Sequence, residues 1–261
     1  MRKIMKPVVL LVMFMALPAS ICYGWSCQTH SFIAHQAGLD DPENACIPDA
    51  SRYDNYNLLV QFHYHNAAPN TVVSPEYIDK YGVSEQEYVP KADPASRSIK
   101  IMVPAESGVL YWKIIDLYRK IKTTKYSSDY NYGLMTIAHL IGDISQPLHN
   151  YPYKDEPASD GKVYHDEGLW SGKAHGAFDA RFDEVLPYMG KGMLSEKIVV
   201  SSEDDLKREI VKIANSSISI ANAAYKENGR KMTDDEVAHQ VASSVVLLRA
   251  VLNDTRRIFE N

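Results

Sequence analysis

Two histidine–aspartate pairs stand at four-residue spacing in this chain, His139 with Asp143 and His175 with Asp179, and His149 follows closely on the first. Residues four apart on a helix project from one face, so each pair presents an imidazole beside a carboxylate. These groups are natural zinc ligands, and several of them converging on one cleft are costly to bury unless a cation compensates. One such pair arises easily by chance on a helix surface, whereas two pairs with an adjacent histidine point to metal binding. The nine histidines are at 30, 35, 63, 65, 139, 149, 165, 175 and 239. A rival motif, Glu236-Val-Ala-His239, has the Glu-x-x-His form that builds di-iron bundles, but that architecture needs two copies. The sequence holds one, which reads as solvated helix surface.

The first pair lies on the most periodic segment, from about Ser128 to Leu148. Leu134, Ile137, Ile141, Ile144 and Leu148 recur at spacings of three and four and predict one continuous buried stripe. His139 and Asp143 fall off that stripe. Gly142 beside them leaves room for close approach of another backbone, and Pro147 ends the helix, placing His149 on a turn. Ser202 caps a predicted helix through Leu206, Ile210, Val211 and Ile213 toward Gly229. Thr233 with Glu236 forms a capping box for a last helix through Val241, Val245, Leu248 and Val251. Ser74-Pro75 is a cap followed by a proline at the first helical position, and a longer helix is expected over Val109 to Ile121. His175 and Asp179 are also expected on a helix. The stretch from Asn66 to Pro104 is rich in Pro, Ser, Tyr and charge; it reads as irregular segments with short helices and is the main candidate for a substrate-facing excursion. Strand signals are few, and no repeat or linker is seen. The expected fold is one all-α, compact multi-helix domain.

The first 24 residues read as a signal peptide: Arg2, Lys3 and Lys6, an apolar run from Pro7 to Pro18, and small residues before a cleavage point placed after Gly24. That makes residues 25–261 the mature domain and Trp25 its first residue, in a secreted or periplasmic protein. The run is short for a bilayer span, which takes about 20 residues, and no later segment approaches that length, so no transmembrane segment is expected after signal removal. Loss of the leader's three positive charges takes the formal net charge from −5 to −8. An acidic chain argues against coating a polyanion by charge alone. At 45% apolar and 23% charged, the composition excludes disorder, collagen and a disulfide scaffold. Cys22 leaves with the leader. Cys27 and Cys46 can pair in an oxidising compartment, though the sequence leaves the pairing open.

The string His139-Leu-Ile-Gly-Asp143-Ile-Ser-Gln-Pro-Leu-His149 resembles the signature of the superfamily of zinc-dependent phospholipase C and the single-strand-specific zinc nucleases. That family's mature chain begins with a tryptophan whose α-amine and carbonyl bind zinc, which matches Trp25. A histidine then follows in the nuclease branch, matching His30. Next come an aspartate and, some fourteen residues later, a histidine before an aromatic, matching Asp49 and His63-Tyr64. Its final His-x-x-x-Asp/Glu element matches His175 and Asp179. The resemblance thus implies three zinc ions: one held by Asp49, His63 and His139; a second by Trp25 and His30, with Asp143 bridging to the first; a third by His149, His175 and Asp179. Zinc would keep the α-amine, with its ordinary pKa near 8, deprotonated. Asp54 and His65 are competitors for Asp49 and His63 whose spacing fits less well. His35, His165 and His239 read as ordinary histidines.

The resemblance implies phosphodiester hydrolysis by a metal-activated water, with Asp49, Arg52 and Asp143 as catalytic residues. His30, Asp179 and Arg52, which coincides with a phosphate-contacting arginine of the nucleases, favour the nuclease branch. The interval from Asp49 to His63 and the mature length favour phospholipase C, as do Asn66 where the nucleases carry a base-reading aspartate and Phe178 where they carry a tryptophan. The choline-holding residues of the phospholipase are not recognisable. Tyr64, Tyr151, Tyr153 and Trp170 are candidates for an aromatic rim. The expected activity is a phospholipase C-like phosphodiesterase with peripheral contact at a membrane surface. A single-strand-specific nuclease or 3'-nucleotidase is the alternative, and a non-catalytic periplasmic zinc-binding protein a further one.

Overall fold

A computed structural model of the chain describes residues 25–51, 60–88, 99–124, 128–152, 157–164, 172–186, 189, 193–227 and 230–257. Among these the order is α1 (Cys27–Ala37), a 3-10 turn (Pro42–Cys46), α2 (Ile47–Ser51), a 3-10 turn (Val60–Phe62), α3 (Pro75–Lys80), β1 (Val83–Tyr88) and β2 (Ile99–Pro104). There follow α4 (Leu110–Thr123), α5 (Ser128–Asp143), a 3-10 turn (Pro147–His149), α6 (Gly172–Val185), a 3-10 turn (Met193–Ser195), α7 (Glu203–Lys226) and α8 (Asp234–Arg257). The fold is all-α with one hairpin. The proposed leader, Arg52, Asp54, Tyr153, His165 and Trp170 lie outside the described residues, as do the side chains of His175 and Asp179, whose backbone is in α6.

Helix starts follow their capping chemistry. The Ser74 hydroxyl accepts from Tyr77 N ahead of α3, and Ser202 with Asp205 closes a reciprocal box on α7. Thr233 and Glu236 do the same for α8, and Glu236 is also paired with Arg230, so the Glu-x-x-His motif is helix surface with its carboxylate engaged. The hairpin corrects the expectation of irregular chain through Pro104: β1 and β2 pair antiparallel from Val83↔Pro104 to Tyr88↔Ile99. The β-branched and apolar run Ile99, Ile101, Met102 and Val103 is the short strand signal that marks it.

α5 is the central element, packed against α1, α4 and α8. Ile137 and Ile141 are fully buried, and so are His139 and Asp143. The polar face is therefore enclosed rather than turned to solvent. The helix ends at Asp143, short of the predicted Leu148. The ring of Pro147 would meet the carbonyl four residues back, that of Asp143, and proline lacks the N–H to continue the ladder. The chain leaves the helix through Gln146 at φ −83° and ψ 115°, the extended conformation favoured before proline. A disulfide joins Cys27 to Cys46, tying α1 to the Pro42–Cys46 turn. Among the described residues no helix is long and apolar enough to cross a membrane.

His65 is a packing residue. Its Nδ1–H donates to Gly108 O at 3.0 Å, and Nε2 accepts from the Tyr77 hydroxyl at 2.8 Å. Burial pushes its pKa down to about 4, against the pull of the Gly108 carbonyl. The unfolded chain takes up this proton first as pH falls, so the neutral ring's contribution is whole above about pH 6.5 and is lost progressively toward pH 4. With metal held off by chelator, urea unfolding should show a loss of about 2 kcal/mol between pH 7 and pH 5 from this group, at 1.36 kcal/mol per pH unit. In His65→Gln that share of the pH slope should vanish. An unchanged slope would remove His65 as its source.

Candidate metal centre

Five segments deliver six side chains to one place. α5 contributes His139 and Asp143 one turn apart, α1 contributes His30, and α2 contributes Asp49 just after the disulfide turn. His63 follows the Val60–Phe62 turn and His149 closes the Pro147–His149 turn. The last two segments are laced together. His65 N donates to His149 O at 2.7 Å, and the His149 Nδ1–H donates to His63 O. The His63 segment is also fastened to the start of α4, where Val109 N donates to Gln61 O and Leu110 N to Tyr64 O. Gly108 is required there: its φ is +83°, and a Cβ would stand 2.2 Å from Tyr64 O.

The donor atoms are spaced for a cation. His63 Nδ1 lies 3.0 Å from His139 Nε2 and 3.0 Å from Asp143 Oδ2, and His139 Nε2 lies 3.2 Å from that same oxygen. Asp49 Oδ1 is 3.8 Å from His63 Nδ1 and 3.6 Å from His139 Nε2. Four ligands at about 2.05 Å from a tetrahedral zinc are about 3.3 Å from one another. The five spacings bracket that value. Oδ1 of Asp143 faces the other way, 3.5 Å from His30 Nε2 and 3.6 Å from His149 Nδ1. The His30 ring stacks on His139 with centroids 4.0 Å apart. Both ring nitrogens of His30 and Oδ1 of Asp143 are buried without a hydrogen bond. Buried polar groups are rarely left in that condition, and a cation between His30 Nε2 and Asp143 Oδ1 would engage both of those atoms. Two groups, His30–His139–Asp143 and Asp49–His63–His139, can each hold a metal ion.

The electrostatics point the same way. Burial alone would raise Asp143, yet the facing imidazoles, His139 foremost, hold its carboxyl well below the usual range. Burial would lower His139, but the Asp143 carboxylate outweighs it and pushes the imidazole up to about 9. Asp49 is held down against burial, chiefly by His139. His30 is lowered by burial and by His139. Two carboxylates thus face the His139 imidazolium. His139 is oriented from outside the cluster, its Nδ1–H donating to Ala45 O at 2.8 Å, which leaves Nε2 as its ligating atom.

The structure therefore brings together His30, Asp49, His63, His139, Asp143 and His149. It sets His65 apart in an aromatic pocket with Tyr77, Tyr81 and Tyr111. Trp25 is fully buried, its indole donating to Ser145 Oγ at 2.9 Å. Sequence reasoning passed over the Ala45 carbonyl and Ser145, since a backbone acceptor carries no residue signal and a lone serine very little. It marked Gly142 for a close approach. What approaches is the imidazole of His30 rather than a backbone. No protein-family model and no curated protein matches this chain.

Gly142→Ala tests that contact. A Cβ would lie 2.5 Å from His30 Nδ1 and 2.7 Å from its Cε1, while alanine improves the helix by about 1 kcal/mol. The variant should stay folded but bind metal at the His30 side about 10- to 100-fold more weakly, the usual scale for disturbing the support of a ligand. Competition against a chelating dye measures this; undiminished affinity would show that His30 is not a ligand.

Proposed function

We propose that this protein is an exported, zinc-dependent phosphodiesterase acting on phospholipids in the manner of phospholipase C. The observation that carries the reading is the Asp49–His63–His139 group, able to hold a metal ion, with Asp143 Oδ2 within 3.2 Å of both its imidazoles. The two-way facing of the Asp143 carboxylate supports a second cation beside His30 and the amine and carbonyl of Trp25. His149, His175 and Asp179 would hold a third. Zinc, when bound, supplies Lewis acidity and a water made acidic enough to attack near neutral pH.

The remaining work falls to the chain's own groups. His139 is kept in one tautomer by Ala45 O, and Asp143 is shut away from water. Asp49 is the more exposed of the two carboxylates, at 12% against 0% for Asp143, and on this reading it would take the proton from an incoming water. A guanidinium is a planar fork matched to phosphoryl oxygens, and this reading gives that role to Arg52. Asn66, which stands where the nucleases carry a base-reading aspartate, supports a lipid over a nucleobase. The Cys27–Cys46 disulfide accords with an oxidising compartment. A single-strand-specific nuclease is the second reading, favoured by the Trp25 to His30 interval and by Arg52.

Assays on phosphatidylcholine, phosphatidylethanolamine, single-stranded DNA and RNA decide between them. The expected result is phospholipid cleavage that chelator abolishes and zinc restores. In Arg52→Ala, kcat/KM should fall about 10²-fold, as for loss of one preorganised charge-stabilising donor, with metal content unchanged. Turnover of nucleic acid alone would establish the nuclease, and turnover of nothing would leave a zinc-binding protein without catalysis.

A further inference from the structure

Beyond the ligands, one bonded chain joins the start of α1 to the end of α5. Trp25 precedes Ser26, the capping residue of α1, and His30 lies one turn into that helix, its N–H donating to Ser26 O at 3.1 Å. The Trp25 indole N–H donates to Ser145 Oγ at 2.9 Å, and Ser145 Oγ donates in turn to Gly142 O at 2.7 Å. All three side-chain positions are closed to solvent: Trp25 and Ser145 are fully buried, and the helical face at Gly142 is covered by the His30 ring. The direction of the chain is set by chemistry. An indole nitrogen only donates, and a hydroxyl has a single hydrogen. Ser145 gives that hydrogen to Gly142 O in the last turn of α5, which also accepts its backbone N–H at 3.1 Å, and turns its lone pairs to the indole. Gly142 is thus held twice, through its carbonyl by Ser145 and against its Cα by His30. The chain entering α1 thus meets the end of α5 twice, Trp25 at Ser145 and His30 at Gly142.

We infer that Ser145 is a positioning residue for the His30–Asp143 metal pocket, acting through the indole of Trp25. By fixing the residue ahead of α1 to the turn that follows Asp143, the hydroxyl sets the depth at which His30 enters. It also sets where the backbone of Trp25 lies relative to the carboxylate. The inference rests on the metal-binding reading. It concerns neither Asp49 nor the Asp49–His63–His139 group, whose support comes from Ala45 and the His149 turn.

The test is a double-mutant cycle read by metal affinity, with zinc titrated against a chelating dye and unfolding followed in chelator. Ser145→Ala and Trp25→Phe should each weaken one zinc-binding step about 10- to 100-fold and leave the tighter steps unchanged. The double variant should bind no more weakly than the weaker single variant, because both changes break one bonded chain. Should Ser145→Ala not fold, Trp25→Phe alone reads the same step, since it keeps a ring in the pocket and removes only the indole and its N–H. Lower stability with every zinc affinity unaltered would make the bond merely structural and overturn the inference, as would additive losses. If the unaltered protein binds no zinc at all, the metal reading fails and this inference with it. Zinc binding that is normal in the parent and unchanged in the variants refutes the inference alone.

Discussion

Asp143 is sealed from water at the C-terminal end of α5, where the helix's own carbonyl dipoles are also negative. A carboxylate there is doubly unfavourable unless positive charge or donors are brought to it, and the surrounding chain sets imidazoles against it from four directions. His139 comes from the preceding helical turn, His63 and His149 from two short turns bonded to each other, and His30 from α1 across the space that Gly142 leaves open. Asp49 then adds a second negative charge to the same cluster. In the bare protein the Asp143 carboxylate drives His139 to the charged form. The arrangement gathers two carboxylates and four imidazoles in one place, a set that a divalent cation completes.

Regular structure supplies only part of this geometry. α5 delivers two ligands by its repeat, but Asp49, His63 and His149 come from segments of three to five residues, too short to hold a position unaided. Each is fixed by bonds at its edges: the disulfide and the Ala45 carbonyl beside Asp49, the α4 start beside His63, and the exchange of bonds between His63, His65 and His149. His63 and His65 show how much placement matters. Two residues apart on one strand of chain, one faces a carboxylate and the other a carbonyl and a tyrosine hydroxyl. The first can ligate a metal, and the second has both nitrogens already committed.

What could be read from the sequence follows from this division. The all-α class, the caps at Ser74, Ser202 and Thr233 and the buried stripe of α5 were legible, because each is encoded within a few neighbouring residues. So was the pairing of His139 with Asp143. The end of that helix was misplaced by one turn, since periodicity continues through Ile144 and Leu148 while the proline's clash falls four residues upstream. The β1–β2 hairpin was missed because charge and polar residues hid a short strand signal. His30, Asp49 and His63 came only through resemblance to a family. Ligands drawn from separate segments leave no local period, and neither the Ala45 carbonyl nor the Ser145 hydroxyl leaves any motif. Cys27 and Cys46 were visible as candidates, but their bond depends on the turn that brings them together.

The central claim is that Asp143 organises the cation sites, and metal analysis of the purified protein beside Asp143→Asn tests it most directly. The substitution keeps the shape of the side chain and removes its charge. The account predicts about three zinc ions per chain in the parent and the loss of at least two in the variant, since one carboxylate faces two ligand groups. One zinc or fewer in the parent, or an unchanged content in the variant, would contradict it.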